Sequence, residues 1–214
     1  MQNLIHGYVR FRSHSFPQKR RLYSKLAEGQ NPRYLFITCC DSRVTPHDFT
    51  GTGPGELFSE RSLGNVVPAP GGRETGTPGV VEYAVKALNV EHIIVCGHSQ
   101  CGAVKAMLDP GSLRDLPNVA AWLASAGDAV GAVARKYGAL EGEALLDATV
   151  RENVLVQLDH VRRQPSVAPR LAEGRIQVHG WVFEFEHGRV IAYDPRVDRF
   201  VPLIDAYAGR ETSV

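Results

Sequence analysis

The apolar positions of this chain fall into two patterns. Unbroken runs rich in β-branched and aromatic residues occur at Tyr34–Cys39 and Glu91–Cys96, and each predicts a buried strand. Glu56–Arg61 reads as a shorter strand. Arg175–Phe185 and Val190–Tyr193 read as two more, joined by a turn at Glu186-His187-Gly188-Arg189. Elsewhere the apolar residues recur at helical spacing. Val81, Ala84, Val85 and Leu88 share one face of a helix over Val80–Leu88, Cys101–Leu108 is a short helix, and Asn118–Tyr137 and Glu143–Arg163 are long amphipathic ones, the last broken by Pro165 and Pro169. Residues 1–30 are partly helical, most clearly where Leu22, Tyr23 and Leu26 align, with Gly29 and Pro32 ending the element. Asp41–Gly55 and Pro68–Pro78 predict loops, the first with one helical turn, and Gly97-His98-Ser99-Gln100 predicts a tight turn. Strands that alternate with helices predict one α/β domain over residues 1–214, built on a mainly parallel sheet.

Composition narrows the function. Apolar residues make up 43% of the chain, enough for a sizeable core without disulfide staples. The net charge of +1, from 24 basic and 23 acidic side chains, lacks the basic surplus that a nucleic-acid binder needs. The basic cluster Gln18-Lys19-Arg20-Arg21 reads as the solvated start of a helix. Residues 1–16 hold His, Arg and Ser where a secretory signal needs an apolar run, and no stretch is apolar enough for a membrane span, so a cytoplasmic location with no membrane partner is expected. In a reducing compartment, Cys39, Cys40, Cys96 and Cys101 are expected to be metal ligands, nucleophiles or core residues.

The strongest chemical signal is His98-Ser-Gln-Cys101 after a strand. With both residues on the first turn of a helix, an imidazole and a thiolate point the same way, and both are good zinc donors. Cys39, at the end of another buried strand, is the best third ligand, because ligands in open α/β sheets gather at the carboxyl ends of strands. A Cys₂His set leaves one coordination position open, the arrangement of a catalytic zinc site. Cys96 reads as core, and Cys40 points away from Cys39 by strand alternation. Two thiolates leave Zn²⁺ formally neutral and less able to acidify water, so a nearby proton acceptor is needed. Asp41 offers a carboxylate, and Arg43 can hold it ionised and oriented in a two-pronged pair. Released by Arg43, Asp41 could instead become a fourth ligand in a closed, inactive form. The backbone N–H of Gly102, at a helix start, is a candidate contact for an anionic oxygen. Two other zinc classes fit less well. A base deaminase would show H-x-E followed by P-C-x-x-C, and the chain has neither; a non-catalytic zinc scaffold would close its site with a fourth Cys or His, for which Cys40 is the nearby candidate.

These residues resemble a known family. Cys39-Cys-Asp-Ser-Arg-Val44 is similar to the C-x-D-S-R segment of β-class carbonic anhydrases, and Cys96-Gly-His-Ser-Gln-Cys-Gly-Ala103 to their G-H-S-x-C-G segment. Gly53-Pro-Gly-Glu-Leu-Phe58 with Arg61 and Asn65, Val81-Glu-Tyr-Ala-Val85, Glu152-Asn-Val154, His179-Gly-Trp181 and Tyr193-Asp194 extend the likeness over nearly the whole chain. The resemblance implies zinc on Cys39, His98 and Cys101, Asp41 and Arg43 as the catalytic pair, and reversible hydration of carbon dioxide to bicarbonate and a proton by a zinc-bound hydroxide. It implies a parallel four-stranded sheet with an additional edge strand, helices on both faces, and a homodimer or dimer of dimers in which an N-terminal helical arm, residues 1–30 here, reaches the partner. Hydrolysis of carbonyl sulfide or carbon disulfide on the same fold is the alternative activity. Three positions depart from the usual pattern: Ser62 replaces an Asn, Gly53 replaces a Gln beside the substrate, and Phe36 with Thr38 replace the Trp and Gly of the bicarbonate-regulated subgroup.

Overall fold

The two unbroken apolar runs become the centre of a six-stranded sheet. The computed structural model describes residues 1–73 and 75–209. In chain order its elements are helices α1 (Gln2–Arg10) and α2 (Phe16–Glu28), strand β1 (Tyr34–Cys39), α3 (Pro46–Thr50), β2 (Leu57–Ser62), α4 (Gly76–Lys86), β3 (His92–His98), α5 (Gly102–Leu108), α6 (Pro117–Ala124), α7 (Ala129–Tyr137), α8 (Gly142–Arg162), α9 (Ala168–Ala172), β4 (Gln177–Glu184), β5 (Arg189–Asp194), β6 (Arg199–Pro202) and α10 (Leu203–Tyr207). The strand order is β2-β1-β3-β4-β5-β6, with the first four strands parallel and β5 and β6 antiparallel.

Strand alternation gives the sheet two unlike faces. Leu35, Ile37 and Cys39 of β1 and Ile93 and Val95 of β3 join the main core, which α4, α5 and α8 cover with Val81, Val104, Val150, Val154 and Leu158. Phe36, Ile94 and Cys96 point the other way, into a smaller aromatic cluster with Phe49, Trp181 and Phe183. Cys39 therefore points into the main, helix-covered core, while Cys96 lies in the smaller cluster.

α8 lies close to the sheet because two strand residues have no side chain. A Cβ on Gly97 would sit 2.8 Å from Val154 Cγ2, and one on Gly180 would sit 2.6 Å from Leu158 Cδ1. Gly97→Ala is accordingly expected to destabilise the protein by about 1–3 kcal/mol through overpacking, read as a lowered denaturant midpoint. An unchanged midpoint would mean that α8 can retreat freely.

Three elements differ from the sequence expectation. The helix expected over Asn118–Tyr137 is two helices, because Gly127 takes φ +84° between them and a Cβ there would lie 2.7 Å from Val156. β3 runs on through Gly97 to His98, so the turn is confined to Ser99 and Gln100. β6 adds a second antiparallel strand at the edge. Outside the sheet, α1 and α2 are joined through a π-helical turn at Phe11–Ser15, and neither helix buries a residue in this chain. Leu4, Ile5, Tyr8 and Val9 of α1 stay more than half exposed. The basic cluster at residues 18–21 is an exposed part of α2, as expected.

Candidate metal centre

β1 and β3 are neighbours with Thr38 opposite Cys96, so Cys39 and His98 both emerge at the carboxyl edge of the sheet. Cys101 joins them by a route the sequence did not suggest. It is the N-cap of α5, with helix starting at Gly102, and His98 is still strand. The side chains converge because Gln100 takes a left-handed φ of +54° and folds the turn back, so helical spacing is not the cause. Among the described residues, Cys39, His98 and Cys101 form the one group whose potential ligand atoms all lie within 4.8 Å of one another, and all three side chains are buried.

The donor chemistry fits a divalent ion of the zinc type. His98 Nδ1 lies 2.8 Å from the carbonyl oxygen of Ser99, which can only accept, so Nδ1 carries the proton and Nε2 keeps its lone pair. That Nε2 is buried without a hydrogen-bond partner among the described residues, a costly condition that a metal would relieve. The Cys39 thiol falls to about 4, chiefly because Cys101 hydrogen-bonds to it, with His98 and the Gly64 amide adding to the effect. The same bond and burial push Cys101 up, while the amides of Val104 and Ala103 at the start of α5 oppose the rise. Two buried thiols beside an imidazole nitrogen that lacks a partner among the described residues suit a cation that takes the place of their protons. Burial pushes Cys96 up to about 12, as befits a core thiol, and Cys40 is exposed outside the triad.

Asp41 and Arg43 lie at the rim. Arg43 Nε donates to Asp41 Oδ1 at 2.9 Å and Arg43 Nη2 donates to Oδ2 at 2.8 Å, while the Arg43 backbone N–H adds a bond to Oδ1 at 3.0 Å. These bonds hold the Asp41 carboxyl well below the usual carboxylate range. Arg43 is fixed in turn by the carbonyl of Gln100 at 3.2 Å and by the face of Phe185, 4.6 Å away. Asp41 Oδ2 lies 3.9 Å from His98 Nε2, beside the triad but outside it. Gly102 opens α5 and is exposed, with open space where a Cβ would be.

Two supports were not legible as such. Arg61 donates to the carbonyl oxygens of Cys39 and Asp41, at 3.2 and 2.7 Å, and so braces the backbone that carries the Cys39 thiol and the Asp41 carboxylate. The amide of Gly64 donates to Cys39 Sγ at 3.4 Å. An Arg and a Gly-Asn pair shortly after the first motif are the signals that could have pointed to them.

Known proteins place this arrangement. A sequence model of the family described as Carbonic anhydrase matches residues 34–190. The chain is 44% identical over 205 residues to the carbonic anhydrase of Pseudomonas aeruginosa, covering 96% of this chain and 93% of that one. It is 43% identical over 192 residues to the carbonic anhydrase of Synechococcus elongatus, covering 89% and 71% respectively. Its fold is similar to that of the β-carbonic anhydrase CcaA, with a TM-score of 0.92, 42% identity, and 94% and 91% of the two chains covered. It is also similar to one of two tetrameric β-carbonic anhydrases of Sordaria macrospora, with a TM-score of 0.80, 28% identity, and 89% and 95% covered.

Proposed function

This chain belongs to the β-class carbonic anhydrases, and on that premise we propose that it hydrates carbon dioxide reversibly with a zinc ion held by Cys39, His98 and Cys101. The observation that carries the reading is the buried Nε2 of His98, without a hydrogen-bond partner among the described residues, in a group whose ligand atoms, with the thiols of Cys39 and Cys101, lie within 4.8 Å of one another. Two soft sulfurs and one imidazole are a zinc donor set, and three protein ligands leave a corner for chemistry. When bound, the ion supplies the Lewis acidity that makes water a nucleophile near neutral pH.

The chain's own residues do the rest. Asp41 accepts the hydrogen bond of the reacting water and aligns its lone pair on carbon dioxide. Arg43 spends two donors on Asp41, which keeps the carboxylate ionised and turned away from the ion. Were Arg43 to release it, Asp41 would be free to act as a further ligand and would shut the enzyme. The Gly102 amide steadies a bicarbonate oxygen. We assign residues 1–30 as an arm that packs on a second copy in a homodimer or dimer of dimers, since the apolar face of α1 has no surface to cover within its own chain. No helix among the described residues is long and apolar enough to cross a membrane, and the four free cysteines suit a cytoplasmic setting.

The test is metal analysis joined to stopped-flow carbon dioxide hydration across pH. One zinc per chain is expected, with activity rising from acid to alkaline pH. Because Arg43 depresses the Asp41 carboxyl, Asp41 is a carboxylate throughout that span and protonates only in strong acid, so the rise belongs to the metal site. A flat profile from mildly acidic to alkaline pH counts against the mechanism. Release of hydrogen sulfide from carbonyl sulfide outpacing carbon dioxide hydration would assign the site to the alternative substrate.

A further inference from the structure

One face of α8 carries a stripe of polar side chains that is buried. Asn153, Gln157 and His160, with Gln164 just beyond the helix, recur every three or four residues, and none is more than 6% exposed. All four bond the backbone of the segment after β2, and Gln157 Nε2 also donates to the carbonyl of Ala126 at 2.7 Å. Asn153 Nδ2 donates to the carbonyl of Gly64 at 3.0 Å, and the Val67 amide donates to Gln157 Oε1 at 2.9 Å. His160 Nδ1 meets the carbonyl of Val67 at 2.7 Å, and Gln164 Nε2 donates to the carbonyl of Pro68 at 2.9 Å. Gln157 Nε2 also donates to Asn153 Oδ1 at 2.9 Å, which turns the Asn153 amide nitrogen toward Gly64.

The segment so held makes a sharp turn. Gly64 and Asn65 take left-handed φ values of +69° and +50° in succession, and a Cβ on Gly64 would lie 3.0 Å from Ala103. Gly64 is thus anchored on its carbonyl side by Asn153, and on its amide side it donates to the sulfur of Cys39. Burying four polar side chains is costly unless each bond is made, and here each is made to a backbone group that would otherwise be left without that partner. A stripe kept for packing alone has no need to end on the residue whose N–H touches a ligand sulfur.

We propose that this stripe, through Asn153 and Gln157, is a positioning device that holds the Gly64 amide on the Cys39 thiolate and so tunes the metal. The inference rests on the metal reading above. An N–H···S bond draws electron density from the thiolate and weakens its donation to the ion. That matters most in a centre with two thiolates, whose charges already cancel that of the ion. Asn153 and Gln157 act through Gly64 and touch neither substrate nor metal.

Cobalt-substituted protein tests this. The wild type should show a sulfur-to-cobalt charge-transfer band in the near ultraviolet. Asn153→Ala should move that band to lower energy and shift the pH midpoint of hydration upward. Thr149→Val removes a buried hydroxyl on the same helix that bonds the Leu145 carbonyl, and should lower the melting temperature while leaving the band in place. Should Asn153→Ala fail to fold, Gln157→Leu is read in its place, and cadmium-substituted wild type gives an independent reading as scalar coupling between the Gly64 amide proton and the metal through Cys39. An unmoved band in a variant that binds metal, or no coupling at Gly64 in the wild type, overturns the proposal. A wild type with no sulfur-to-cobalt band refutes the metal site itself, and this inference falls with it.

Discussion

Replacing His98 by Ala is expected to empty the metal centre and take carbon dioxide hydration to background, while the far-ultraviolet circular dichroism stays that of the folded chain. The imidazole is fully buried at the end of β3, with one nitrogen fixed by the Ser99 carbonyl and the other aimed at Cys39 and Cys101. Alanine leaves two thiols and nothing to complete the set, and two ligands do not make a tight zinc site. The loss should exceed the roughly 10–100-fold that follows removal of a residue that merely supports a ligand. Cys39→Ser and Cys101→Ser should do the same, because a hydroxyl does not ionise as readily as a thiol. Cys40→Ser is the control: its side chain is exposed outside the triad, and metal content should not change. Full zinc occupancy in His98→Ala, by elemental analysis of the purified protein, would remove His98 from the ligand set.

Asp41→Asn should separate binding from chemistry. The variant is expected to keep its zinc, since Asp41 lies outside the triad, and to lose about 10²–10⁴-fold in turnover, the range for a positioned acid–base group. Asparagine has the shape of aspartate, but one of its two terminal atoms is a donor. It cannot accept from both arms of Arg43, and it carries no charge to orient a reacting water. Unfolding would not account for the loss. Arg43 is about half in solvent but Asp41 is mostly buried, so the variant should melt lower than the wild type yet stay folded at the assay temperature, which the melting curve checks. Wild-type turnover in the zinc-loaded variant would exclude Asp41 from the reaction.

Much of this molecule was legible locally. β1 and β3 read as buried strands because a strand covered on both faces must be apolar at nearly every position. The candidate donors Cys39 and His98 and their places at strand ends were legible because an open sheet gathers such residues at one edge. Where local pattern and structure parted, the cause was also local. Periodicity ran straight through Gly127, whose positive φ divides the helix, and β6 is four residues long with only its middle two partly buried, too short to show a period.

By itself, then, the order of residues determined most of the strands and helices, which side chains are candidates to hold a metal, and that Asp41 and Arg43 sit close enough to pair. Only the tertiary structure decided that β1 and β3 lie side by side, that Gln100 swings Cys101 back toward His98, and that a polar stripe on α8 grips a turn 89 residues earlier in the chain. The division has a physical reason. Dihedral preferences and repeat patterns act between near neighbours and are written in the order of residues. A contact between distant segments exists only once the chain has closed on itself, and a buried amide stripe has the same sequence pattern as one facing water.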